Sequence, residues 1–479
     1  MRVRGSGRWA VCIWRRRLTA IAAACAVLPA PASAETLQAA LIQAYQNNPT
    51  LNAQRAAVRA TDENVPQALS GYRPRVSLSA SIGEAYVDSL SRSPTPAPGG
   101  GTAYSSLSGH NAVQSYGGTV TQNVLNGFQT ANRTRQAESQ VSAARETLRL
   151  TEQNVLLAAV TAYMNLLRDT AILDLQRRNV EVLEEQLRQT RDRFNVGEVT
   201  RTDVAQSESR LAAGRSAVLA AQANYTASRA TYRQVIGIEP GRLTPGAPVD
   251  RLSPRSLSEA VASARANHPS VTTAMFNVDI ALFQVKVAEG ALYPTLNIVG
   301  SAQKNFGSAI SLSTLESFSG TIAGQLSVPV YQGGSEYALI RQAKETLTQR
   351  RIDLDTARDQ AQQTLVQSWG QLEAAKAQIE ATQAQVTAAE IALNGVREEA
   401  RVGQRTTLDV LNAQQELVNA RVSLVTAQRD RVVASYTLLA AVGRLSAQVL
   451  GLGVPVYDPT SHYHQVRDSW AGVRTPDGK

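Results

Sequence analysis

The sequence predicts an α+β membrane protein in which long paired helices and amphipathic strands occur twice along one chain. Three observations predict this fold class. The chain contains an internal repeat, it has four stretches of alternating apolar and polar residues, and residues 128–239 and 334–443 contain no proline. A repeat indicates a duplicated unit, alternation indicates strands with one apolar face, and proline-free stretches allow long helices. No run of 18 apolar residues follows residue 34, which argues against a helical membrane protein.

The first 34 residues have the order of a secretory signal peptide. Arg15–Arg17 precede an apolar stretch, residues 18–28, and Ala32–Ala34 offer a cleavage site. Six arginines and no acid lie in residues 1–34, so only +3 of the formal net charge of +9 belongs to the rest. That small excess does not favour a nucleic-acid partner. Both cysteines, Cys12 and Cys25, fall in this leader, which predicts a mature chain without disulfides. Lipidation at Cys25 stays open as an alternative to cleavage after residue 34.

The rest of the chain is one unit written twice. Residues 36–74 reappear at 256–294, and residues 124–237 reappear at 330–443. The two copies are 220 residues apart in the first segment and 206 residues apart in the second. This difference arises because the first copy has a longer loop, rich in Pro and Gly, at residues 93–101. The prediction is therefore a first repeat over 35–240, a linker over 241–255, a second repeat over 256–445 and a C-terminal tail over 446–479.

Each repeat is expected to contain two short helices, two strands and two long helices, in that order. The residue before Pro49 or Pro269 leaves the helical region, which separates the short helices. Seven-residue spacing such as Val204, Leu211 and Val218 is typical of coiled-coil packing in the long helices. The expected helices are 36–47, 50–70, 131–195 and 201–236, then 256–267, 270–291, 335–401 and 407–442. The expected strands are 75–87 and 115–125, then 295–305 and 319–330.

The strands have the pattern of transmembrane β-strands. Val76, Leu78 and Ile82 alternate with serines, and Leu296 and Ile298 repeat the pattern in the second copy. Strands of roughly 9–11 residues cross a bilayer when tilted, and aromatic residues lie at both ends of these strands. Four strands cannot close a barrel, and an open edge in lipid leaves backbone groups unpaired, so chains must associate. Two chains would give eight strands and three would give twelve, and the alternation does not choose. An ordinary soluble sheet packed on a core is the alternative interpretation.

Both turns between the long helices share the pattern Val-Gly-x-x-Thr-x-x-Asp-Val. Glycine suits the left-handed position after a helix, and Thr followed three residues later by Asp has the spacing of a capping box. The residues are Val196, Gly197, Thr200 and Asp203 in the first turn, and Val402, Gly403, Thr406 and Asp409 in the second. Capping is the structural role of the aspartates. Repeated around a ring, they would also attract cations and could be bound across subunits by Arg405.

These features together resemble the TolC family of bacterial outer-membrane efflux and secretion channels. The resemblance covers the duplicated unit, Asn48-Pro49, Arg73-Pro74, Val330–Gly334 and the two turns. It implies a homotrimer with a 12-stranded transmembrane β-barrel, four strands per chain, continuous with a long periplasmic coiled-coil α-barrel that opens like an iris. It also implies an outer-membrane location and two partners, a periplasmic adaptor and an inner-membrane ABC or RND transporter.

The resemblance assigns site residues at the tip of the helices. Asp203, Asp409 and Arg405 match the family's periplasmic constriction. Asn412 stands where well-known members have a second aspartate, and Ala400 stands where they have a gating tyrosine, so a weaker cation site is expected. The same resemblance makes the turns the docking points of the adaptor, through Val196, Gly197, Thr200, Val402, Gly403 and Thr406.

The sequence offers no positive sign of an enzyme, a cofactor, a metal site or a nucleic-acid partner. His462 and His464 are interpreted as an incidental pair in a tail that extends outside the barrel. The rival function is a soluble periplasmic coiled-coil adaptor or scaffold, which would not need four lipid-length strands with aromatic ends. The sequence leaves the cargo open between proteins and small molecules.

Overall fold

The computed structural model describes residues 35–92, 99–102, 104–307, 316–476 and 478. The predicted leader, with Cys12 and Cys25, lies outside the described residues, as does most of the loop at 93–101. The first repeat consists of α1 (Leu37–Asn47), α2 (Pro49–Asp62), α3 (Asn64–Leu69), β1 (Arg75–Arg92), β2 (Tyr104–Asn126), α4 (Gln129–Asn195) and α5 (Arg201–Ile236). The second consists of α6 (Leu257–Asn267), α7 (Pro269–Gly290), β3 (Thr295–Gly307), β4 (Glu316–Ser327), α8 (Ser335–Arg401) and α9 (Thr407–Ala441), and α10 (Thr460–Val466) follows.

The single helix expected over 50–70 is wrong, because the structure divides this segment. Helix α2 ends at Asp62, α3 follows, and a 3-10 turn over Ser70–Tyr72 leads to the first strand. Pro66 explains the break, since a proline ring clashes with the carbonyl group four residues earlier, here that of Asp62. The equivalent helix of the second repeat, α7, contains no internal proline and is continuous over 22 residues.

The core of the helical body lies around the middle of α4. Leu156, Val160 and Tyr163 have no exposed surface and pack with residues of α1, α5 and α9. Helices α2 and α7 also continue the lines of α5 and α9, respectively. The Asn48 side-chain amide donates to the Val235 carbonyl group at 2.9 Å, so α2 begins where α5 ends. In the second repeat, Gly443, two residues beyond the end of α9, lies against His268, directly before α7. Helix α4 therefore packs on α2 and α5, and α8 packs on α7 and α9.

Two apolar stretches, in Gln129–Asn195 and Leu257–Gly290, are long and apolar enough to cross a membrane by length and composition alone. Both belong to the helical body. Helix α4 packs against α5, α7 and α9, and α7 packs against α4 and α8. At 67 residues each, α4 and α8 are about 100 Å long at 1.5 Å per residue.

The four strands form one antiparallel sheet in the order β1-β2-β3-β4. One face carries the apolar residues, and none of the helices that the structure describes covers it. Leu78 is 87% exposed, Ile82 is 80% exposed and Ile322 is 86% exposed. A soluble sheet would bury this face, so the alternative of an ordinary soluble sheet is wrong.

The strands differ in length from those expected. Strand β1 reaches Arg92 and β2 begins at Tyr104, because the hairpin continues to the pair Arg92 and Tyr104. Strand β4 covers Glu316–Ser327 and stops before the expected end at residue 330. Pro329 accounts for this end, since proline has no N–H group to donate to a neighbouring strand.

The described part of the C-terminal tail packs on the first repeat. The Tyr457 N–H group donates to the Tyr45 hydroxyl at 3.0 Å. Helix α10 contacts α2, and His462 Nδ1 lies 3.0 Å from Asp62 Oδ2. His462 is 9% exposed and Asp62 is fully buried, so His462 is a buried packing residue rather than an incidental one. Burial raises the pKa of Asp62, and the hydrogen bond from His462 opposes that shift.

Candidate functional site

The candidate site is the end of the helical body farthest along the chain from the sheet, where the two long hairpins turn. Gly197 and Gly403 have φ angles of +81° and +80°, which a residue without a Cβ adopts at no steric cost. The Glu198 N–H group donates to the Arg193 carbonyl group at 2.9 Å, and Gln404 donates to Glu399 at 2.9 Å. These bonds satisfy carbonyl groups that the helix ends would otherwise leave unpaired.

Both predicted capping boxes are present. The Thr200 N–H and hydroxyl groups donate to Asp203 Oδ2 at 2.9 and 2.7 Å, and the Thr406 groups donate to Asp409 Oδ2 at 3.0 and 2.9 Å. The Thr200 hydroxyl and N–H groups hold the pKa of Asp203 below its usual range, and the N–H and hydroxyl groups of Thr406 do the same for Asp409. Both carboxylates are therefore ionised at neutral pH.

In each turn an ion pair joins the end of the first helix to the connecting residues, and these two pairs have opposite polarity. Arg193, in the last turn of α4, donates to Glu198 Oε2 at 2.8 Å. Arg405, beyond the end of α8, donates to Glu399 Oε2 at 2.8 Å, and this carboxylate raises the pKa of Arg405. Within this chain Arg405 therefore binds Glu399, and its charge acts on Asp409 only through space.

Asn412 lies at a contact between the two repeats. The Arg210 Nη2 group of α5 donates to Asn412 Oδ1 of α9 at 2.6 Å. The neighbouring Leu411 is buried at 3% exposure among Leu183, Leu187 and Leu211 of the first repeat. Asn412 thus stands beside an apolar seam that joins the two hairpins near their tips. Ala400 packs in a different seam, between α8 and α9.

The predicted docking residues divide into two kinds. Val196 and Val402 are apolar and exposed, at 74% and 70%. The two glycines have open space where a Cβ would point, and the two threonines use their hydroxyl groups in the capping boxes. Each turn therefore presents one exposed valine on a backbone that is fixed by its own hydrogen bonds.

Sequence reasoning missed Arg210 and Glu399. The internal repeat could have drawn attention to Glu399, because it aligns this residue with Arg193 of the first copy. Nothing in the sequence pairs Arg210 with Asn412, since the contact depends on how the two hairpins pack.

An apolar, uncovered sheet joined to helices about 100 Å long defines the class of outer-membrane channel proteins. The sequence profile described as "Outer membrane efflux protein" matches residues 40–238 and 260–444. The chain therefore belongs to the outer membrane efflux protein family. The two matched segments fall within the two predicted repeats.

Individual relatives agree with this assignment. The chain is 43% identical over 457 residues to outer membrane efflux protein BepC of Brucella suis, covering 94% of each chain. It is 26% identical over 325 residues to outer membrane protein TolC of Escherichia coli, covering 65% of this chain and 66% of that one. Among solved structures, VceC of Vibrio cholerae superposes with a TM-score of 0.69 at 20% identity, covering 85% of this chain and 96% of that one. CmeC of Campylobacter jejuni gives 0.70 at 17% identity, covering 90% and 89%.

These findings confirm the fold class of a transmembrane β-barrel continuous with a long helical barrel. They also confirm the resemblance to the TolC family and the outer-membrane location of a channel with a long periplasmic portion. The soluble adaptor or scaffold gains no support from them.

Proposed function

We propose that this outer-membrane channel is the exit duct of a tripartite efflux pump or a type I secretion system. It is a passive conduit that is gated at its periplasmic helical tip. A periplasmic adaptor and an inner-membrane ABC or RND transporter complete the assembly and open the tip. The observation that carries this proposal is one chain that joins a lipid-facing sheet to a helical body about 100 Å long, with two matched turns at its far end.

The edges of the chain support assembly into a homotrimer. Strands β1 and β4 are the two ends of the sheet and need partners from other chains, since unpaired backbone groups are not tolerated in lipid. Helix α8 also has apolar residues that remain exposed among the described part of the chain, which are Leu339, Ile352, Val366 and Ile391. Burying these side chains between neighbouring chains would close both barrels at once.

The tip contacts support a gate between the two hairpins of each chain. The Arg210–Asn412 hydrogen bond and the Leu411 seam hold α5 and α9 together, whereas each hairpin is fixed internally by its own turn. An iris motion therefore breaks contacts between hairpins and leaves each hairpin intact. Asp203 and Asp409 would form rings of ionised carboxylates at the narrow end, and these rings would bind divalent cations.

Two experiments test the proposal. In planar bilayers, Asp409→Ala is expected to reduce the block of single-channel current by divalent cations, and an unchanged block would remove this residue from the constriction. In cells, a photo-cross-linker at Val402 is expected to capture a periplasmic adaptor, whereas the same group at Leu219, which is 72% exposed on the middle of α5, is not. Equal capture at both positions would contradict docking at the tip.

A further inference from the structure

The described tail leads from the helical body to the start of the membrane sheet. Helix α10 is fixed on α2 by the His462–Asp62 contact and by Val466, which is 4% exposed. Tyr463 packs against a cluster that includes Val65 and Val141. Beyond this helix, Ser469 and Trp470 contact Arg73, in the segment that connects α3 to β1. Ser469 and Trp470 are thereby positioned at the base of the barrel.

Two contacts fix the position of Trp470. Arg73 Nη1 donates to the Ser469 carbonyl group at 2.5 Å, and the Arg73 guanidinium group lies 4.7 Å from the centre of the Trp470 ring. Arg73 is separated from the first residue of β1 only by Pro74. Trp470 is therefore held at the height where the sheet leaves the periplasm and enters the membrane.

This height is marked by other aromatic residues at the ends of the strands and helices. They are exposed by 53–76%, and they are Tyr72, Phe128, Tyr293 and Tyr331. Aromatic rings collect at this level in membrane barrels because they place an apolar body in the interface and a polar edge in water. The exposed fraction of Trp470, 71%, lies within this range, although Trp470 belongs to no strand.

The surroundings of Trp470 have the composition of a membrane-contacting segment. Val473, three residues further on, is fully exposed. Residues 468–476 contain one acid, Asp468, and one base, Arg474. Arg73 and Arg75 lie at the start of the sheet. Exposed apolar side chains among cationic ones suit a phospholipid surface, whose glycerol region accepts rings and whose phosphates accept guanidinium groups.

We infer that the C-terminal tail is a membrane-interface anchor. Trp470 inserts among the phospholipid headgroups of the periplasmic leaflet of the outer membrane, and Arg73 holds the ring there while it meets the lipid phosphates. The tail thus ties the helical body to the leaflet from which the barrel emerges. This role is separate from the channel itself and from the tip.

The tryptophan content makes the test direct. Residues 35–479 contain two tryptophans, Trp369 and Trp470. Trp369 packs against a core cluster of α6, α8 and α9 and lies about 50 Å along α8 from its first residue at 1.5 Å per residue. Trp369→Phe leaves Trp470 as the only emitter, and Trp470→Phe leaves Trp369 as the matched control. Both variants are reconstituted into phosphatidylcholine vesicles with and without lipids brominated near the headgroup, and insertion is checked by flotation.

The sole-Trp470 protein is expected to lose about half of its emission in brominated vesicles, while the sole-Trp369 control is unchanged, because only rings at the lipid boundary meet the bromines. Adding Arg73→Ala to the sole-Trp470 protein is expected to reduce that quenching. Adding Arg467→Ala is expected to leave it unchanged, because Arg467 contacts Glu138 at 3.7 Å and not the ring.

Quenching of Trp470 by aqueous acrylamide but not by brominated lipid would overturn the anchor. Blue-shifted emission insensitive to both quenchers would overturn it as well, by placing the ring against a neighbouring chain. Undiminished lipid quenching after Arg73→Ala would remove Arg73 from the proposal.

Discussion

Replacing Arg210 by alanine is expected to open the periplasmic tip. The substitution removes the one hydrogen bond from α5 to Asn412, and the apolar seam at Leu411 stays in place. A hydrogen bond of this kind contributes about 1 kcal/mol. Three chains that open together lose about 3 kcal/mol of closed-state stability, which is roughly a 100-fold shift toward the open state. Single-channel recording in planar bilayers measures this shift as an increase in open probability.

A matched control separates the gate from general loosening of the tip. Arg397 of α8 donates to Gln414 of α9 at 3.0 Å, so Arg397→Ala removes a similar hydrogen bond that lies within one hairpin. This variant is expected to leave the open probability near that of the unmodified protein. Asn412→Asp is expected to lower it, since a carboxylate binds Arg210 more strongly than an amide does. Equal opening by the Arg210 and Arg397 substitutions would refute the assignment of the gate to the contact between hairpins.

Four further outcomes are expected from the described contacts. Thr200→Ala removes a capping box and is expected to cost about 1 kcal/mol locally, seen as faster hydrogen exchange at the start of α5. Because the folded-state pKa of Asp203 is lowered, its stabilisation is present above the usual aspartate pKa of about 4 and is lost as the pH falls through the lower folded value. Acid should therefore lower the protection factors of the same amides, which compare the observed exchange with the intrinsic exchange at each pH. His462→Ala leaves a buried carboxylate without its hydrogen bond, and the expected cost of about 1–3 kcal/mol should appear as earlier proteolysis of the tail during denaturant titration. Ile322→Arg places a charge on the lipid face and should cost about 2–4 kcal/mol of barrel stability, whereas Thr321→Arg on the opposite face should not, as measured by the temperature at which the trimer dissociates in detergent.

Local patterns in the sequence were enough to predict most of the elements. The long helices α5 and α8 begin and end where the proline-free stretches and the turn motifs placed them, at residues 201–236 and 335–401. The capping boxes were also readable, because Thr and Asp three residues apart interact within a single turn. The sequence underestimates the length of the hairpin that extends to Arg92 and Tyr104, because serine-rich strands give a weak alternation signal.

The sequence by itself determined the duplicated unit, the apolar face of each strand and the geometry of both turns, because each of these depends on residues close together in the chain. The tertiary structure alone decided which distant side chains meet. It paired Arg210 with Asn412 across the two repeats, buried His462 against Asp62, and stacked Trp470 on Arg73 at the base of the sheet. These contacts join residues about 200 to 400 positions apart, and such pairs form only when long helices pack in one register, which side-chain fit over the whole interface determines.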